Sequence, residues 1–158
     1  MTVASLSASP VSSAFWRKRS PGIWGMTSER GTQTLRSHVG YDRGKWYIEV
    51  RIPNNGGAVS VGVVTSSFKG IMESSSSSLG HCGHSWGFDG TRLCRWHNGI
   101  RSEFSNRAKW KGRDVVGLFL DLESGTLACS HNGKPVSVPY ENLRSIQLRQ
   151  DGLDTHVA

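Results

Sequence analysis

The chain predicts an all-β protein with little helix, and three observations carry that expectation. No window of its 158 residues holds a sustained 3.6-residue apolar period. Short alternating segments recur at close spacing. Asn-Gly turns at Asn98-Gly99 and Asn132-Gly133 punctuate them. About ten short strands separated by turn signals form the pattern of an antiparallel β-sandwich of two sheets.

The clearest stretch is DVVGLFLDLESGTLACSHNGKPVSV, Asp114 to Val138. Val116, Leu118 and Leu120 share one face of an extended segment, with Val115 and Phe119 on the other, so Val115 to Leu122 reads as a largely buried strand. Glu123 to Gly125 turns the chain and Thr126 to Ser130 returns. His131-Asn132-Gly133-Lys134 supplies a second turn, whose Asn-Gly centre tolerates positive φ, and Pro135 to Val138 follows as a short third strand. A second sheet has to cover the outer faces if Val115 and Phe119 are to be dry.

Upstream, Ile23 to Gly25 and Thr32 to Leu35 read as short edge strands. Lys45 to Ile52 (KWYIEVRI) sends Trp46, Ile48, Val50 and Ile52 one way and Tyr47, Glu49 and Arg51 the other, which is a strand with one wet side. Pro53 to Gly57 is a turn cluster. Ala58 to Thr65 is another strand, and Gly62 within it signals close approach of a neighbour. Ser66 to His84 is a long irregular stretch with Phe68, Ile71, Met72 and a run of serines, the kind of loop that carries function or disorder. Ser85 to Asp89, Arg92 to Trp96 and Ile100 to Phe104 continue the strand series.

The length suits one domain. Residues 1–21 read as a flexible tail that is Ser-rich and basic at its end, 22–143 as the folded domain, and 144–158 as a C-terminal segment in which Arg144 to Arg149 forms a substitute closing strand or a tail. The tail has some transit-peptide character, although a disordered leader is the commoner source of such composition. Three cysteines cannot all pair and no apolar run reaches the length of a membrane span, which fits an intracellular protein of the cytoplasm or nucleus. The net charge of +7 favours acidic partners. The excess is local: Arg92, Arg95, Arg101, Arg107, Lys109, Lys111 and Arg113 face only Glu103 between positions 92 and 113.

With these segments in place, the chain resembles a SPRY domain, a concanavalin-like β-sandwich. The residues that carry the resemblance are GKWYIEV (Gly44 to Val50), VSVGVVT (Val59 to Thr65), SWGFDG (Ser85 to Gly90), the HNG of His97 to Gly99, and DVVGLFLDLESGTLACSHNGKPV (Asp114 to Val136). The resemblance implies a non-catalytic protein-protein interaction module that binds a short peptide or partner surface through loops at one end of the sandwich, as an adaptor or scaffold component, and that is monomeric by itself. Family members usually follow the last hairpin with an aromatic and a leucine, a role open to Tyr140 and Leu143, and then with a strand reading roughly Leu-Tyr-Pro-x-Val. That signal is missing here.

Loop position within the resemblance nominates Asn54, Asn55, Phe68, Lys69 and Met72 as partner contacts, with Trp96 and Arg101 as secondary candidates. Asn can hydrogen-bond an extended backbone, Phe and Met offer apolar contact, and Lys favours acidic neighbours. Trp46, Trp86 and Trp110 read as core or sheet-packing residues. His81, Cys82, His84, Cys94 and His97 lack the spacing of a zinc finger or ribbon, so no metal is assigned, and no cofactor or catalytic residue either. Two other binding classes compete with a peptide. The basic segment with Trp96 and Trp110 interleaved has some nucleic-acid character, and a carbohydrate-binding sandwich would want carboxylate and amide groups beside an exposed aromatic.

Overall fold

A computed structural model describes residues 2–9, 15–20, 23–27, 33–36, 40–52, 58–68 and 79–143, with side chains at 40–52, 59–68 and 79–143. Among these residues there is no helix, and every strand pairing is antiparallel. The strands are β1 (Thr2–Ser9), β2 (Phe15–Ser20), β3 (Ile23–Thr27), β4 (Gln33–Arg36), β5 (Lys45–Arg51), β6 (Ala58–Val64), β7 (Ser85–Asp89), β8 (Cys94–His97), β9 (Ile100–Glu103), β10 (Val115–Asp121), β11 (Thr126–His131) and β12 (Lys134–Pro135). One sheet runs β4-β1-β6-β7-β8-β9, a second runs β12-β11-β10-β5, and β2 pairs with β3 as a separate hairpin.

Alternation along the strands decides what the two large sheets press together. Val61, Val63, Trp86 and Phe88 from the first sheet meet Val50, Val116, Leu118, Leu120, Leu127 and Cys129 from the second in one continuous core. Both layers therefore bury one face, and the chain is a two-sheet β-sandwich. Tyr140 bridges to Leu127 and Leu143 is buried in the same core, so the segment after the hairpin seals one edge of it. The substitute strand expected at Arg144 to Arg149 lies outside the described residues.

Three expectations change. Thr2–Ser9, expected within a flexible tail, pairs with β6 on one side and β4 on the other. The reason lies in the backbone: without β1, β6 would present an open row of N–H and C=O groups, and a polar segment can satisfy those as well as an apolar one. Phe119 is 47% exposed, because the outer face of the second sheet is wet among the described residues. Trp46 is 38% exposed at the start of β5, stacked on Tyr41 and donating its indole N–H to the carbonyl of Arg43, so it closes the end of the sheet and is not core.

The third strand of the meander is also shorter than Pro135 to Val138. Pairing covers only Lys134 and Pro135. Val136 then turns inward, where its carbonyl accepts from the N–H of Ser105 and of Asn106.

Candidate partner-binding surface

Chain direction sorts the loops into two ends. The segment between Ile52 and Ala58 precedes β6 and the long segment after Val64 follows it, so a seven-residue strand of roughly 20 Å separates them. The end reached by Ile52 also gathers the β7–β8 turn, the connection from Phe104 to Asp114 and the β11–β12 turn: Gly90 N–H bonds to Val59 O, Trp110 N–H to Gly90 O, and Arg113 N–H to Ile52 O. The opposite end gathers residues 79–85, the β8–β9 turn and the β10–β11 turn.

At that opposite end, Asn98 and Gly99 sit at φ 49° and 74°, the tight two-residue turn that joins β8 to β9. The turn is docked at two points on the long loop, with Asn98 N–H bonded to Cys82 O at 3.3 Å and Gly99 N–H to Gly80 O at 3.1 Å. Gly80 has φ +92°, and a Cβ there would run into the backbone and Cβ of Trp96. Glycine alone lets the loop lie this close. His81 consequently stacks on the Trp96 indole, with ring centroids 5.3 Å apart and planes 17° apart.

The layer beneath holds this arrangement fixed. His97 stacks on the buried Trp86 at 4.5 Å, and its Nδ1 lies 2.9 Å from Ser85 O. The Tyr140 hydroxyl donates toward Trp96 O at 2.9 Å and Gly87 O at 3.2 Å, while the Arg95 guanidinium covers its ring at 4.5 Å. Burial pushes the Tyr140 phenol well above its ordinary range, so it stays a neutral donor.

The sequence-nominated residues fall unevenly on this frame. Trp96 and Arg101 lie directly opposite one another across β8 and β9, half-buried and exposed respectively, with Arg101 held 2.8 Å from Glu103. Phe68 is 8% exposed in a small cluster with Val64 and Leu79, against Cys82. Its ring anchors the loop from inside and offers little surface to a partner. Asn54, Asn55, Lys69 and Met72 lie outside the described residues. The sequence nominated neither Ile100 nor, except as a candidate metal ligand, His81 for this surface. Ile100, 69% exposed at the tip of the β8–β9 hairpin, was signalled by an apolar residue placed directly after an Asn-Gly turn.

Among the described residues, no three His, Cys, Asp or Glu side chains are placed to hold a metal ion. The groups that invited a metal reading have other contacts: His81 on Trp96, Cys82 Sγ 3.4 Å from Ser85 Oγ, Cys94 buried between neighbouring strands, and His97 on Trp86.

Comparison with known proteins agrees with this architecture. Residues 45–149 match the SPRY domain family. Among solved structures, the crystal structure of the SPRY domain of human HERC1 is similar, with a TM-score of 0.55 and 18% identity, covering 75% of this chain and 72% of that one. At such low identity the structural likeness speaks for the fold alone, while the family match spans most of the sandwich from β5 onward. SPRY domains are generally protein-protein interaction modules, and this chain belongs to the SPRY domain family.

Proposed function

We propose that this chain is a non-catalytic adaptor or scaffold component that binds a short peptide or a partner surface at the hairpin end of its sandwich. The observation that carries the reading is Ile100, a large aliphatic side chain 69% exposed on a hairpin pinned by two backbone hydrogen bonds. Facing His97 across the hairpin, it offers an apolar anchor whose backbone is already ordered, so binding costs little loop entropy. Arg101, the next residue, adds a cation on the opposite face of β9, beside Trp96 and paired with Glu103 at 2.8 Å. The +7 net charge favours an acidic partner, and an intracellular setting suits three free cysteines.

The test compares proteins captured by the intact chain with those captured by Ile100→Glu and by Arg101→Glu, with Phe119→Ser on the wet outer face as control. Thermal melting is followed for each. Partners retained by the control and lost from both hairpin variants, all folded, support the reading. An unchanged partner set across folded variants overturns it.

A further inference from the structure

Among the residues with described side chains, the charge excess does not lie at the hairpin. It collects at the other end. Arg51 ends β5, Arg107, Lys109 and Lys111 lie in the connection before β10, and Lys134 opens β12; all five are exposed and none makes an ion pair among the described residues. Val115 pairs with Arg51, Val116 with His131, and His131 with Lys134. Three strand spacings therefore bring the Arg51 and Lys134 backbones to about 15 Å of one another, with Arg51 on the face of Val115 and Lys134 on the face of Val116 and His131, so that the two cations flank the end of the sheet from either side.

The acids that would offset these cations are turned inward or engaged. The buried Asp89 carboxylate accepts the N–H groups of Thr91 and Arg92 at 2.9 and 2.8 Å and the Arg92 guanidinium at 3.1 Å. Asp114 is bound by Asn132 Nδ2 at 2.9 Å, by the Lys111 N–H at 2.7 Å and by His131 at 2.7 Å. Glu103 is held by Arg101. Glu49, two residues before Arg51 on the same face of β5, stays exposed and accepts the Tyr47 hydroxyl, while the other carboxylates hold the loops in place and leave the remaining cations outside to set the field.

The connection that carries most of those cations is ordered before any ligand arrives. It is fastened at Ser105 N–H to Val136 O, Trp110 N–H to Gly90 O and Arg113 N–H to Ile52 O. Arg113 sits at φ 74°, a conformation that a non-glycine residue adopts only where its surroundings impose it.

We propose that this basic end is a second interaction surface, distinct from the hairpin end, which takes an extended Asp/Glu-rich segment of a protein partner. Four or five extended residues span about 15 Å, so alternate carboxylates of such a segment match the spread of the cations. A protein segment fits better than single-stranded nucleic acid, because a base-stacking platform needs an exposed aromatic face. The aromatics at this end have their faces occupied: Phe104 is buried, and Trp110 lies against Gly90 with Phe104 and His131 rings 6.3 and 6.2 Å away. With the hairpin at one end and this surface at the other, one rigid domain can hold two partners a strand's length apart.

The experiment is fluorescence anisotropy of the purified chain with a labelled Glu-rich peptide, an equally long Gln-rich peptide, and a single-stranded oligonucleotide of equal charge. The Glu-rich peptide is expected to bind, to weaken as salt rises, and to lose about tenfold in affinity with Lys109→Glu/Lys111→Glu, which removes two exposed attractions and adds two repulsions. Lys109→Gln/Lys111→Gln should weaken it by less, in the same direction, and Ile100→Glu should leave it unchanged. The proposal falls if the Glu-rich and Gln-rich peptides behave alike, if the folded Lys variants bind like the parent, or if the oligonucleotide binds more tightly than the peptide. Because Ile100→Glu probes the hairpin separately, failure at one end is distinguishable from failure at the other.

Discussion

His131 Nε2 lies 2.7 Å from Asp114 Oδ2, which ties the end of β11 to the residue just before β10. Asn132 completes the tie in both directions: its Nδ2 donates to Asp114 Oδ1 and its Oδ1 accepts the Val115 N–H at 2.9 Å. The Asn-Gly turn is thereby also the clamp for the basic connection.

That clamp should weaken in acid. The hydrogen bond from Asn132 above all, then those from His131 and the Lys111 N–H, outweigh burial and bring the Asp114 carboxyl from 3.8 down to about 2. A carboxyl held below its unfolded value stabilises the fold at pH above about 4, and the contribution disappears as pH falls through about 2. Asp114→Asn should therefore be less stable than the parent at neutral pH, and the two should converge near pH 2. Urea unfolding across that range checks it, and a difference that stays constant with pH would assign the role of Asp114 to packing.

Two glycines separate steric from conformational demands. A Cβ at Gly90 would lie 1.9 Å from Cδ2 of the Trp110 indole, inside the contact that fixes the basic connection. Gly90→Ala must displace that ring and should cost about 3 kcal/mol, the upper range for overpacking. Gly133, at φ +78° with nothing within 4 Å, has room for a methyl group but the wrong backbone for one. Gly133→Ala should cost about 1 kcal/mol. Chemical denaturation of the two variants gives the order directly.

Local chemistry made most of the sandwich legible. SWGFD marks β7 residue for residue, Asn98-Gly99 and Asn132-Gly133 adopt the positive φ that their turns require, and the Gly62 anticipated as a close approach would place a Cβ 1.8 Å from Trp86 O on the neighbouring strand. Alternation also put Trp46 and Val50 on one face, yet it could not say where that face ends, and Trp46 proved to cap the sheet. Nor could it show whether Phe119 has a layer over it, since periodicity reports which residues share a face and not what lies opposite. Thr2–Ser9 carried no readable signal because its pairing with β6 is a contact between distant parts of the chain. For the site, the tight turn at Asn98-Gly99 already fixed Trp96 opposite Arg101. Counting strands would also have shown that loops on either side of β6 leave from opposite ends.

Cysteine reactivity should follow burial. Cys94 and Cys129 are 0% and 2% exposed, and burial pushes the Cys129 thiol far above its ordinary value, which suppresses the reactive thiolate. Cys82 is half-buried beside the hairpin. Under native conditions a maleimide should modify one thiol per chain, at Cys82, and all three only after unfolding, as read by mass spectrometry. Rapid native labelling of Cys129 would mean that the second sheet opens locally.

The wet outer face of that sheet gives the sharpest contrast in side-chain cost. Tyr47 and Phe119 are register partners across β5 and β10, with ring centroids 4.6 Å apart, and both remain about half exposed. Gly117 lies under the Tyr47 ring, where a Cβ would come within 2.9 Å of Cε2. Its lack of a side chain lets the tyrosine lie across the sheet. Such an exposed cross-strand aromatic pair is worth about 0.5 to 1 kcal/mol in coupling, which a double-mutant cycle on Tyr47→Ala and Phe119→Ala measures. Leu118, one residue from Phe119 and fully buried, should cost about 3 kcal/mol as Leu118→Ala, well above the cost of Phe119→Ala. Equal costs at the two positions would mean that something covers Phe119 in solution, because adjacent residues on opposite faces of one strand differ chiefly in what lies over them.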